Sequence, residues 1–107
     1  MIELSDGASM SEFQTYIHKL ETLHGWLDVD LVHNCFLMGE EMGELFKAVR
    51  RHEKYFQRSA PGHDSKAEIA EEIVDVLNYL LAIANRLDID VEGAFREKNA
   101  RNQTRSW

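Results

Sequence analysis

Apolar residues recur at steps of four and three along two stretches of the chain. In the first they are Leu31, Cys35, Met38, Met42, Leu45 and Val49; in the second, Ile69, Ile73, Val76, Leu80, Ile83 and Leu87. Such spacing lays one apolar stripe along a 3.6-residue helix, and its 4-3 alternation marks helices that pack nearly antiparallel. The pattern predicts one helix from about Asp30 to about Gln57 and another from Asp64 or Ser65 to Leu87. A shorter helix is expected before them, from Met10 to Gly25, where Ser9 and Glu12 have the spacing of a capping box. A fourth is expected from Val91, capped by Asp90, fraying near Arg105. No stretch alternates apolar and polar residues as a strand does. The single proline, Pro61, lies in Arg58-Ser59-Ala60-Pro61-Gly62-His63 and breaks the chain into two helical halves. The expected fold is all-α, a four-helix bundle over residues 1–107 as one domain.

Size and charge narrow the possibilities. A chain of 107 residues is short, and such domains bury only about 60–68% of their unfolded surface, so pairing with a second copy is a common source of stability. Nineteen acids against 12 bases give a net charge of −7. Nucleic acid polymers are bound by basic faces, which argues against them as partners. A small anionic nucleotide remains open if a metal supplies the positive charge. The one cysteine, Cys35, leaves no internal disulfide and no cysteine-based zinc site; its place in the apolar series predicts a small buried hydrophobe. No run nears the ~18 apolar residues of a membrane span. Met1 to Ser11 carries Glu3 and Asp6 and no apolar run of a secretory signal. A cytoplasmic location without a membrane partner is expected.

The acidic residues change the picture most. The second helix carries Glu40, Glu41 and Glu44; the third carries Glu68, Glu71, Glu72 and Asp75. Residues three or four apart share a helix face, so Glu41 aligns with Glu44 and Glu72 with Asp75. Each of these four lies one residue before an apolar position: Met42, Leu45, Ile73 and Val76. Both pairs therefore flank a packing seam, and antiparallel packing lets them face each other. A solvated acidic face is the plain alternative. Against it, no Lys or Arg occurs from Ala67 to Asn85, while Glu68–Glu72 and Glu71–Asp75 are like-charge pairs at i,i+4. Ala70, Val74, Leu77, Leu81 and Ala84 also add a second apolar stripe, as a central helix would have. Carboxylates crowded beside other protein need a cation. An all-oxygen ligand set favours Mg2+ or Mn2+ over zinc. Four carboxylates leave room for one ion or two, and paired ions are common where phosphorus is attacked.

Glu41-x-x-Glu44, then 27 residues, then Glu72-x-x-Asp75 resembles the metal motif of the MazG-like all-α nucleotide pyrophosphohydrolases. The string EEMGELFKAVR is similar to that family's first motif helix. AEEIVDVLNYLLAIANRLDIDVEGAFREKNARN is similar to its second motif helix and the short helix after it. Lys98, Asn102 and Arg105 follow the family's closing Lys-x-x-x-Asn-x-x-Arg spacing. The resemblance, over residues 30–105, implies hydrolysis of a nucleoside triphosphate between the α and β phosphates, giving the monophosphate and pyrophosphate. It implies magnesium held by Glu41, Glu44, Glu72 and Asp75, and phosphate contacts from Lys98, Asn102 and Arg105. It also implies a homodimer or a dimer of dimers whose copies complete the bundle and share site residues. Trp26 and Asn34 are further candidates for base or sugar contact, without a motif of their own. Nucleotide-pool housecleaning is the role implied, with a selective dCTP or dUTP pyrophosphatase as the alternative within the superfamily. Phosphoribosyl-ATP pyrophosphohydrolase has a similar fold, with motifs less well matched. A non-catalytic metal-binding helical interaction module is the alternative of another class. Which carboxylate accepts the proton of water is left open.

Remaining signals carry less. Asp88-x-Asp90-x-Glu92-Gly93 starts like a calcium loop, but its twelfth position is Asn99 instead of a bidentate Glu, so Asp90 reads as a helix cap. The histidines His18, His24, His33, His52 and His63 form no metal-binding pair. Lys47, Arg50, Arg51, Lys54 and Arg58 form either a solvated cationic face or a feature that attracts a triphosphate. The cations at the end of the fourth helix would also complement its dipole.

Overall fold

A computed structural model describes residues 1–54 and 64–107. They form four α-helices and a one-turn 3-10 helix: α1 Met10–His24, η1 Trp26–Asp28, α2 Leu31–His52, α3 Ser65–Arg86 and α4 Val91–Gln103. No strand occurs among the described residues, and the class is all-α, as the seams predict. None of these helices is long and apolar enough to cross a membrane.

Local chemistry sets most of the helix ends. The Ser9 hydroxyl accepts from the Glu12 amide at 3.2 Å, and the Ser9 amide donates to the Glu12 carboxylate at 3.3 Å, completing the expected capping box. Gly25 closes α1 in the left-handed region (φ 71), where the lack of a Cβ removes the steric cost. Asp30 caps α2 through the His33 amide at 2.8 Å, and Asp90 caps α4 through Gly93 at 3.3 Å. Asp64 accepts from the Ala67 amide at 3.0 Å at the start of α3. The expected run of the second helix to Gln57 is corrected: α2 ends at His52, and Lys54 sits at φ 62. A left-handed residue cannot continue a right-handed helix. The proline-containing break at Arg58–His63 lies outside the described residues.

The chain divides into two compact units, residues 1–29 with 81–107, and residues 30–80. In the first, α1 lies against α4 and the end of α3. Ile17, Leu81, Ala82 and Ala84 are its buried apolar residues. A buried glutamine joins the pieces. Gln14 Nε2 donates to Asn85 Oδ1 at 3.0 Å and to the Ile89 carbonyl at 2.9 Å, while Gln14 Oε1 accepts from the Val91 amide at 2.9 Å. Asn85 Nδ2 returns a bond to the Gln14 carbonyl at 2.8 Å. Every polar atom of the Gln14 side chain is thus used, which makes its burial affordable. Arg86 pairs with Glu21 at 3.2 Å and donates to the carbonyls of Trp26 and Val29.

The second unit is the α2–α3 pair. Arg51 Nη1 meets Glu68 Oε1 at 2.8 Å, and His52 Nδ1 lies 2.7 Å from the Ser65 hydroxyl. These contacts fix an antiparallel register. The apolar seam is only half covered. Leu31, Met38, Leu45, Ile69 and Val76 are half-buried, but Met42, Val49, Ile73 and Leu80 are exposed. Cys35, expected to be buried, is exposed too. The second stripe of α3 is buried only from Leu81 onward; Ala70 and Val74 are open. A pair of helices can each cover one flank of the other, and this unit has Ala48 as its one fully buried apolar side chain among the described residues.

Candidate metal centre

Antiparallel register brings the acidic turns of α2 and α3 to one level. Glu41, Glu72 and Asp75 each offer a carboxylate oxygen, and these oxygens lie within 4.8 Å of one another. Glu41 and Glu72 are half-buried and Asp75 is exposed. Glu44, the fourth expected ligand, is exposed and stands outside this trio, although its charge is felt by Glu41 and Glu72.

The electrostatics are those of crowded like charges. Burial, then the charges of Asp75, Glu44 and Glu40, hold Glu41 above the usual carboxylate range, against the smaller lowering effect of a side-chain hydrogen bond with Glu72. Burial, then Asp75, Glu41, Glu44 and Glu68, do the same to Glu72. The Glu72 Oε2 atom is buried with no hydrogen-bond partner among the described residues. Leaving such an oxygen unsatisfied is costly, and a cation placed among the three carboxylates would satisfy it and offset the repulsion. The donor set is entirely oxygen, which suits a hard divalent ion such as magnesium or manganese. The residues present therefore fit the group that the sequence pattern implies.

Tyr79 belongs to this surroundings and was not foreseen. It follows Asp75 by four residues and Glu72 by seven, so all three share one face of α3. Burial, then the charges of Glu41, Glu40 and Asp75, push its hydroxyl above the ordinary phenol range, so it stays a neutral donor. The step from Asp75 is visible in the sequence; the antiparallel register adds the charges of Glu41 and Glu40 on α2 to its surroundings.

The other expected site residues lie elsewhere along the chain. Lys98 is exposed on α4, and Asn102 is half-buried there, its Nδ2 donating to Asn99 at 3.1 Å. Arg105 lies beyond the end of α4 at Gln103, so it does not extend the helical face that Lys98 and Asn102 share. It stacks instead over the Trp107 ring, 4.2 Å from the centroid. Trp26 lies in η1, stacked on His24 at 4.5 Å and half exposed. Asn34 is buried on α2, with Nδ2 unpartnered among the described residues. Lys98, Asn102, Arg105 and Trp26 belong to the first unit, Asn34 and the carboxylates to the second.

A family model described as phosphoribosyl-ATP pyrophosphohydrolase matches residues 11–102. No curated protein matches the chain.

Proposed function

The chain belongs to the phosphoribosyl-ATP pyrophosphohydrolase family, and from that premise we propose that it is a magnesium-dependent nucleotide pyrophosphohydrolase cleaving between the α and β phosphates. The family places it among pyrophosphohydrolases acting on a nucleotide, within the all-α superfamily of such enzymes. The observation that carries the metal reading is the Glu41–Glu72–Asp75 trio within 4.8 Å, with its buried, unpartnered Glu72 oxygen. Phosphoribosyl-ATP and a nucleoside triphosphate carry the same triphosphate chain. Either would give a monophosphate and pyrophosphate.

Glu41, Glu72 and Asp75 would hold the ion, with Glu44, whose charge reaches Glu41 and Glu72, as the fourth proposed ligand. What such an ion supplies when bound is charge neutralisation on the phosphates and a more acidic water. The protein's own part is to position the phosphate chain for in-line attack and to accept the proton of water. Glu41 and Glu72 have raised proton affinity, which suits that second task. Lys98, Asn102 and Arg105 are the proposed phosphate contacts, and Trp26 and Asn34 the proposed nucleoside contacts. The MazG-like motif match favours nucleoside triphosphates and a housecleaning role, while the family's description favours phosphoribosyl-ATP. A panel of phosphoribosyl-ATP, standard and modified triphosphates, scored by pyrophosphate release with magnesium, tests the activity. Release from at least one is expected; none from a folded protein would leave a non-catalytic helical module.

A homodimer, or a dimer of dimers, is part of the proposal. On α2, Val32, Phe36 and Phe46 are 62, 72 and 63% exposed; on α3, Ile73 and Val74 are each 51% exposed. An apolar surface of this kind marks an interface, and the half-covered seam of a helix pair is completed by a second pair. Sedimentation should give at least twice the 12.4 kDa chain mass; a 12.4 kDa species at micromolar concentration would contradict it.

A further inference from the structure

The two ends of the α2–α3 pair differ in chemistry. Counting from the level of Glu41 and Glu72, Asn34 lies seven residues before Glu41 and Tyr79 seven residues after Glu72. Antiparallel register, fixed by Arg51–Glu68 and His52–Ser65, puts both on the same side of the acidic trio. Each is displaced about 10.5 Å along its helix, at 1.5 Å per residue. A seven-residue step returns to nearly the same helix face, so each shares the face of its own carboxylate. That end carries no Asp, Glu, Lys or Arg in residues 31–39 or 76–80. Its polar groups include a buried amide nitrogen without a partner, Asn34 Nδ2, and the neutral phenol of Tyr79. The opposite end is charged: α2 carries Lys47, three residues after Glu44 and exposed, with Arg50 exposed beyond it, while α3 carries Lys66, Glu68 and Glu71, Glu68 being paired with Arg51.

A nucleotide has the same asymmetry: a neutral, hydrogen-bonding, aromatic nucleoside and an anionic tail. We propose that the substrate lies along the α2–α3 pair in one direction, its nucleoside at Tyr79 and Asn34 and its departing pyrophosphate towards Lys47. This rests on the nucleotide reading above and adds its direction and two residues, Tyr79 and Lys47. The Tyr79 hydroxyl donates to an acceptor on the ribose or base, and its ring supplies an apolar ledge. The Asn34 amide, costly to leave unsatisfied, is completed by a nucleoside acceptor. Lys47 gives the charge-assisted contact that a leaving pyrophosphate needs. Reversed, the ligand would set its anionic tail at the end without a Lys or Arg and its neutral base at the charged end.

The two products separate the ends. Binding of inorganic pyrophosphate, and of AMP, CMP, GMP and UMP in turn, is measured by calorimetry with magnesium on the full chain. Tyr79→Phe should weaken the best-bound monophosphate about three- to tenfold, the worth of one neutral hydrogen bond, and leave pyrophosphate unchanged. Lys47→Ala should weaken pyrophosphate several-fold and spare the monophosphate. Circular dichroism verifies that both variants fold. The opposite pairing of losses, equal losses for both products, or no loss in either variant overturns the direction while the nucleotide reading stands. A wild-type chain that binds neither product and releases no pyrophosphate from any nucleotide overturns both.

Discussion

Replacing Glu72 with Gln is expected to lower magnesium-dependent pyrophosphate release by about a thousandfold, the scale of losing one preorganised charge at a phosphoryl centre. Helical content should be unchanged, because the amide has the shape of the carboxylate and α3 is held by contacts elsewhere. Glu72 is the choice because both the geometry and the charge converge on it: it is half-buried, within 4.8 Å of Glu41 and Asp75, and its Oε2 is unsatisfied. The same residue controls stability in chelator. Its proton affinity, like that of Glu41, is raised in the fold. A raised carboxylate stabilises the fold below its unfolded pKa, near the 4.5 of an unperturbed Glu, and that contribution is lost as pH rises through the folded value. Metal-free protein should therefore melt at lower temperature at pH 8 than at pH 5.5. The slope should be smaller in Glu72→Gln and should flatten in the wild type when magnesium is added. Retained turnover in the variant, or a wild-type slope of the opposite sign, would remove Glu72 from the centre.

Arg86→Ala should cost about 3 kcal/mol, since it strands a buried carboxylate. Glu21 is 6% exposed, and its Oε1 already lacks a partner. Removing the guanidinium leaves Oε2 alone as well and deprives the Trp26 and Val29 carbonyls of their donor. A loss of that size lowers Tm by roughly 10–20 °C in a chain of this length. Thermal melting checks it, and a shift under about 3 °C would mean that Glu21 finds water. Arg86→Met with Glu21→Leu should recover part of the loss, because an apolar pair leaves no stranded charge.

What the sequence made legible follows from how local the cause is. Ser9 and Asp90 act within three residues of themselves, and both expected caps are found. The stop at His52 was hidden because Lys54 adopts a left-handed conformation without a glycine to announce it. The seams were read correctly as helical, but periodicity says which face is apolar without saying what covers it. Cys35 and Ile73 fit the stripe and are nonetheless exposed in the single chain. Gln14 was invisible because its partners, Asn85, Ile89 and Val91, are over seventy positions away. At the site, the i,i+3 spacing of acids on two helices was enough to foresee that Glu41, Glu72 and Asp75 would meet. The same pattern treated Glu44 as their equal, and the register leaves it outside the trio. Tyr79 was missed because its meaning depends on the other helix.

The central claim is that the acidic turns of α2 and α3 form one binding site for a hard divalent cation. Calorimetric titration of magnesium, then manganese, into the metal-free wild type and into Glu72→Gln tests it most directly. Saturable binding of one or two ions per chain by the wild type, with a loss of at least tenfold in affinity in the variant, is the predicted result. Equal binding by both proteins, or none by either, would contradict it.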